Sequence, residues 1–160
     1  MHVLFVCTTN RCLSPLAAPI LRELAAHQGL RVTVDSAASL GTQAGNPAED
    51  CAVAVAAARD IDLSRHVARK IASEDFGNAD LIVAFDRSDL RLLTMERPRG
   101  CPTEIRLFSS FCSKDGPSDI AYPSGDDIAR YEAAYETIES GVRDILASLR
   151  GRKASMAVGN

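Results

Sequence analysis

In the stretch CTTNRCLSP, Cys7 to Pro15, a thiol ends an apolar run, a short polar loop follows, and a Ser-Pro pair opens a helix. Residues in that order suit a nucleophile held beside an anion. Successive backbone N–H groups of a strand-to-helix loop can turn inward, and the dipole of the following helix adds positive potential there. A thiol at the base of such a loop should ionise readily, because helix N-termini bring cysteine from about 8.5 into a range of roughly 3.5 to 7.5. Ser14 is placed to donate a further hydrogen bond to the thiolate. The other reading of the same segment is a buried structural cysteine at a strand end. A Walker loop is excluded by the lack of its glycines and lysine, and a dinucleotide site by the lack of GxGxxG. Leu13 stands where an anion loop would want a cation.

The other cysteines point to no second centre. There are five (Cys7, Cys12, Cys51, Cys101, Cys112), and without a secretory signal they read as reduced thiols of a cytoplasmic protein. Cys51 lies in the alanine-rich run CAVAVAAA and reads as a small buried hydrophobe, while Cys101 and Cys112 flank a strand with no histidine or paired cysteine nearby. No metal site and no cofactor are expected.

A loop of this kind needs a strand before it and a helix after it, and the chain repeats that alternation. His2 to Cys7 is a continuous apolar run, and Ser14 reads as the N-cap of a helix with Pro15 at its first position, ending near Gln28–Gly29. Strands are expected at Arg31 to Ser36, Asp80 to Phe85 and Glu104 to Phe108, with helices over Ala48 to Arg59 and from Asp86 to Leu93. A long amphipathic helix is expected over Asp126 to Arg150, stepping through Ile128, Tyr131, Tyr135, Ile138, Val142, Ile145 and Leu149. Strands separated by helices predict an α/β three-layer sandwich, a four-stranded parallel sheet with helices on both faces. In such sheets the ligand sits beyond the carboxyl ends of the strands, where the Cys7 loop begins.

With 160 residues, 46% of them hydrophobic, the chain is expected to form one domain, residues 1–150, followed by a disordered tail, residues 151–160. A net charge of −3 gives no footprint for nucleic acid, despite the basic GRKAS segment, and no apolar run approaches the roughly 18 residues of a membrane span.

The sequence resembles the low-molecular-weight protein tyrosine phosphatases from about Val3 to Leu149. VCTTNRCLSP matches that family's V-C-x-G-N-x-C-R-S-P at Val6, Cys7, Asn10, Cys12, Ser14 and Pro15. VDSAAS (Val34 to Ser39), IDLSRHVARKI (Ile61 to Ile71), ADLIVAFD (Ala79 to Asp86) and DIAYPSG (Asp119 to Gly125) look like its later segments, in the same order. The resemblance implies that Cys7 attacks phosphotyrosine to form a cysteinyl-phosphate within an anion loop of Thr8, Thr9, Asn10, Arg11, Cys12, Leu13 and Ser14. It also implies that Asn10 holds a left-handed turn and that Cys12 can close a disulfide on Cys7. Ser36, His66 and Arg69 would support the loop, although His66 and Arg69 also read as a helix-end pair. Phosphate or a phosphotyrosine-like anion is the implied ligand, with room for a protein partner; the oligomeric state is open.

The departures fall on the chemistry. The family's loop arginine is Leu13, its general-acid aspartate is Tyr122, its loop glycine is Thr9, and an aromatic-histidine pair is Thr42-Gln43. A transition-state arginine is worth about a thousand- to a hundred-thousand-fold and a general acid about a hundred- to ten-thousand-fold. Three readings follow. The first is a catalytically impaired, phosphatase-like anion binder. The second is an active phosphatase in which Arg11 bends over the anion and Tyr122, Asp119, Asp126 or Asp127 handles the proton, those carboxylates reading otherwise as helix capping. The third is thiol redox or arsenate-reductase-like chemistry through Cys7 and Cys12.

Overall fold

The computed structural model describes residues 1–112 and 119–158, with side chains described through residue 151. Four strands, β1 (His2–Cys7), β2 (Thr33–Ala38), β3 (Leu81–Ala84) and β4 (Glu104–Leu107), form one parallel sheet in the order β2-β1-β3-β4. Strands of a parallel sheet are covered on both faces, which is why β1 and β3 read as unbroken apolar runs. Alternate side chains of β1 enter different cores, Val3, Phe5 and Cys7 on one face and Leu4 and Val6 on the other.

The larger core lies under α1 (Leu13–His27), α2 (Asp50–Ala57) and α5 (Ile128–Val158), with α1 and α2 each packed on α5. Gly141 of α5 faces the ring of Phe108, which occupies the space a Cβ would need. The smaller core lies under α3 (Ser73–Asn78) and α4 (Arg87–Glu96), which contribute Phe76 and Leu93. The expected three-layer architecture is therefore present.

Several boundaries differ from the sequence reading. Helix α1 begins at Leu13, and Cys12 rather than Ser14 is its N-cap residue. The Ser14 hydroxyl is used elsewhere, on Cys7. Strand β2 runs to Ala38, two residues beyond the expected end, because its last residues pair with Val6 and Cys7 of β1. Helix α3 has no counterpart in the sequence reading; it is short and buries only Phe76, too little to make a periodic pattern. Ile128, expected on the buried face of α5, is 44% exposed. The tail expected to be disordered from residue 151 is helical to Val158, since Gly151 is the only poor helix former between Arg150 and Val158; residues 159–160 lie outside the described residues. Among the described residues, no helix is long and apolar enough to cross a membrane.

Candidate functional site

Parallel register aligns the carboxyl ends of three strands, Cys7 lying opposite Ala38 and Val6 opposite Ala84. The segments leaving those ends meet around the Cys7 thiol, as the topology of an open α/β sheet requires.

Asn10 holds the loop in shape. Its backbone is left-handed, φ 57°, a conformation asparagine tolerates better than most residues. Its side chain is wholly buried and fully bonded. Nδ2 donates to Ser14 Oγ and to Ser36 Oγ, each at 2.9 Å, and Oδ1 accepts from the Arg69 N–H at 3.1 Å. The His66 Nε2–H donates to the Asn10 carbonyl at 2.7 Å, which fixes that ring's tautomer. The Arg69 guanidinium is tied to Asp75 at 2.8 Å and to Asp35 at 2.9 Å. Ser36, His66 and Arg69 thus converge on one loop residue, and His66 and Arg69 reach it from a distant segment rather than pairing with each other.

The Cys7 sulfur lies 3.0 Å from Ser14 Oγ. Since that oxygen accepts from Asn10, its own hydrogen is left for the sulfur, with the Ala37 carbonyl a longer alternative at 3.4 Å. The backbone N–H groups of Ser14 and Asn10 also hydrogen-bond the sulfur. The expected low pKa does not follow. Burial pushes the Cys7 thiol up, against the hydrogen bonds from Ser14 and the backbone, and the charge of Asp89 adds to the rise. Among the described residues no cation offsets the burial. Cys12 is also buried; burial, then Glu49 and Cys7, push its thiol up as well.

Thr8, Thr9, Leu13 and Tyr122 line the Cys7 cavity together with residues 86–89, Asp119 and Ile120. Leu13 is only 3% exposed. Arg11, which the second reading has bending over the anion, does not line this cavity. The left-handed turn at Asn10 is followed by a guanidinium on the rim, where Arg11 Nε donates to the Pro47 carbonyl at 2.8 Å and a second nitrogen reaches Gln43 at 3.5 Å. It lines a neighbouring cavity with Glu49, Asp126 and Tyr131. Tyr122 is the wall between the two cavities. Its hydroxyl donates to Glu49, as does that of Tyr131, and burial and the Glu49 bond push the Tyr122 phenol up. The proton of Tyr122 is therefore turned toward a carboxylate rather than toward a leaving group. Of the three alternative carboxylates, Asp119 lines the Cys7 cavity, whereas Asp127 caps α5 by accepting from the Ala129 N–H at 3.1 Å.

Sequence reasoning missed Glu49, Arg87 and Asp89. The signal for the last two was available: a helix opening straight after the buried strand at residues 81–84 must begin at the same sheet edge as the Cys7 loop. Among the described residues, no group of three or more histidine, cysteine or acidic side chains is placed to hold a metal ion.

Comparison with known proteins identifies the family and the fold. The family described as "Low molecular weight phosphotyrosine protein phosphatase" matches residues 2–155. The low molecular weight phosphotyrosine protein phosphatase of Schizosaccharomyces pombe is 35% identical over 133 residues, 79% of this chain and 84% of that protein. The Homo sapiens protein of the same name is 38% identical over 113 residues, 68% of this chain and 71% of its own. The crystal structure of the low molecular weight protein tyrosine phosphatase from T. tengcongensis superposes with a TM-score of 0.83 at 30% identity, covering 92% of this chain and 99% of that one. With matched sequence over nearly its whole length and the same fold around the Cys7 loop, the chain belongs to the low molecular weight phosphotyrosine protein phosphatase family.

Proposed function

We propose that this chain binds oxyanions such as phosphate or a phosphotyrosine-like group in the Cys7 loop, and that it hydrolyses phosphomonoesters weakly or not at all. The observation that carries the reading is the wall of the Cys7 cavity: Leu13 stands where the resemblance calls for an arginine, while the Arg11 guanidinium is bonded to the Pro47 carbonyl outside that cavity. An apolar group there removes five donors and a fixed charge from the phosphoryl oxygens. The raised thiol of Cys7 works in the same direction, because the thiolate is the nucleophile.

The loop still has what anion binding needs: a left-handed turn at Asn10, backbone N–H groups converging on the sulfur, and the N-terminus of α1. Active hydrolysis with Arg11 as the stand-in has the rim position of Arg11 against it. Redox or arsenate-reductase-like chemistry through Cys7 and Cys12 has both raised thiols against it. A reducing compartment such as the cytoplasm suits the five free cysteines.

The test is turnover of 4-nitrophenyl phosphate by the full chain, with the S. pombe relative assayed in parallel. The reading expects a rate at least about a thousandfold lower, the lower end for a missing transition-state arginine. A rate comparable to the relative's, abolished by Arg11→Ala or by Arg87→Ala, would overturn it and identify the replacement cation.

A further inference from the structure

Asp89 lies in the first turn of α4 and takes no part in the frame around Asn10. It is 1% exposed, yet it lines the same cavity as Cys7 and Leu13. Its two oxygens are treated unequally. Oδ1 accepts from the Ser39 hydroxyl at 2.5 Å and from the Thr8 hydroxyl at 3.2 Å. Oδ2 is just as buried and has no hydrogen-bond partner among the described residues. A buried carboxylate oxygen without a donor is unfavourable, and it is completed either by a proton or by a ligand that brings one. A proton on Oδ2 changes it from an acceptor into a donor.

We propose that Asp89 determines which ligands the Cys7 cavity accepts: ionised, it repels oxyanions, and protonated, it offers its Oδ2 hydrogen to an oxyanion oxygen, replacing one donor missing at Leu13. This deepens the reading of the loop as an anion site and rests on it. Titration of the group falls in an accessible range. Burial, with a contribution from Asp86, pushes Asp89 up to about 6, against the hydrogen bonds from Ser39 and Thr8. The titratable and charged groups around the cavity are Cys7 at the end of β1, Asp86 and Arg87 at the start of α4, and Asp119 and Tyr122 from the segment before α5. Cys7 and Tyr122 are both pushed upward, away from that range. As pH rises through about 6 the cavity gains a negative charge and loses a donor, so oxyanion affinity falls.

Asparagine at position 89 can keep the acceptor for Ser39 and Thr8 while placing a permanent N–H donor where Oδ2 now is. The experiment is calorimetric titration of the full chain with sulfate, whose charge is constant over the range, at pH 5.0 and pH 7.5 and fixed ionic strength. The expected result is binding about tenfold tighter at pH 5.0, as when a bound anion raises the pKa of a neighbouring acid by about one. For Asp89→Asn the profile should be flat, and as tight at pH 7.5 as the unmodified chain at pH 5.0. If Asp89→Asn melts below the assay temperature, Asp89→Ser, which also removes the charge, takes its place. Measurable binding with no pH dependence in the unmodified chain overturns the role of Asp89 and leaves the anion loop standing. A pH dependence that survives the substitution also overturns it, because the group that titrates is then not Asp89. Absence of sulfate binding at both pH values in every variant overturns the anion loop itself, and this proposal with it.

Discussion

On the side of the Cys7 loop turned toward the protein, Asn10 spends both polar atoms of its amide on Ser14, Ser36 and the Arg69 N–H, and His66 bonds its carbonyl. On the side turned toward the cavity, Leu13 presents only carbon, Asp89 keeps one oxygen without a partner among the described residues, and Tyr122 points its hydroxyl at Glu49. The two sides answer to different demands. The inner side must satisfy buried polar atoms whether or not anything binds, since an unpaired buried group destabilises the fold directly. The outer side is shaped mainly by what it binds, with buried Asp89 the exception that also weighs on the fold. A nucleophile loop can therefore keep its shape whether or not a cation stands beside it, and an intact frame by itself says little about turnover.

If that division holds, substitutions on the inner side should show up in stability and those on the outer side in ligand chemistry. The largest effect is expected at Asn10. Asn10→Ala strands the Arg69 N–H and leaves alanine in a left-handed turn, and should lower stability by roughly 3 to 4 kcal/mol in urea unfolding. A loss below about 1 kcal/mol would mean that the frame is not what holds the loop.

Asp89 is the outer residue whose burial should be felt in stability, and the sign follows from its raised pKa. A carboxyl held at about 6 in the folded chain and near 3.9 when unfolded favours folding below about pH 4 and loses that contribution as pH rises through 6. At about 1.36 kcal/mol for each tenfold change in proton affinity, the loss approaches about 3 kcal/mol at neutral pH. Asp89→Asn should escape it, gaining roughly 2 to 3 kcal/mol relative to the unmodified chain between pH 4 and pH 7.5. Parallel urea-stability curves for the two proteins would contradict the assignment.

Ser14 joins the two sides, because one hydroxyl serves both Asn10 and the Cys7 sulfur. Removing it in Ser14→Ala takes a hydrogen bond from the thiolate and should raise the thiol further. Iodoacetamide alkylation of Cys7 at pH 8 should then slow by about tenfold, in proportion to the smaller thiolate fraction. The smallest effect is expected at Tyr122. Tyr122→Phe leaves Glu49 its bond from Tyr131, so thermal unfolding should detect less than about 1 kcal/mol, with Cys7 alkylation unchanged.

What can be read from the sequence is what is local along the chain. The apolar runs of β1 and β3, the thiol at the end of β1 and the asparagine of the turn all lie in short contiguous stretches. Ser36, His66 and Arg69 can be found only through family resemblance, because they lie 26, 56 and 59 residues from Asn10 in sequence. Asp89 and Glu49 carry no motif at all. They matter because the register of β3 against β1 and the start of α2 bring them to the loop, and that is tertiary information. Ser14 misleads for a related reason: the local rule makes a Ser-Pro pair a helix cap, but the buried sulfur and Asn10 claim its hydroxyl first.

In the function proposed above, it is the absence of a charge at position 13, rather than a damaged loop, that limits turnover. Leu13→Arg tests it most directly, with 4-nitrophenyl phosphate hydrolysis as the readout. The expected result is a rise of at least about a hundredfold, the lower end for one transition-state donor, while Tyr122→Asp alone does little and the double variant exceeds the sum of the two. A Leu13→Arg protein that folds, binds sulfate and turns over no faster than the unmodified chain would contradict it.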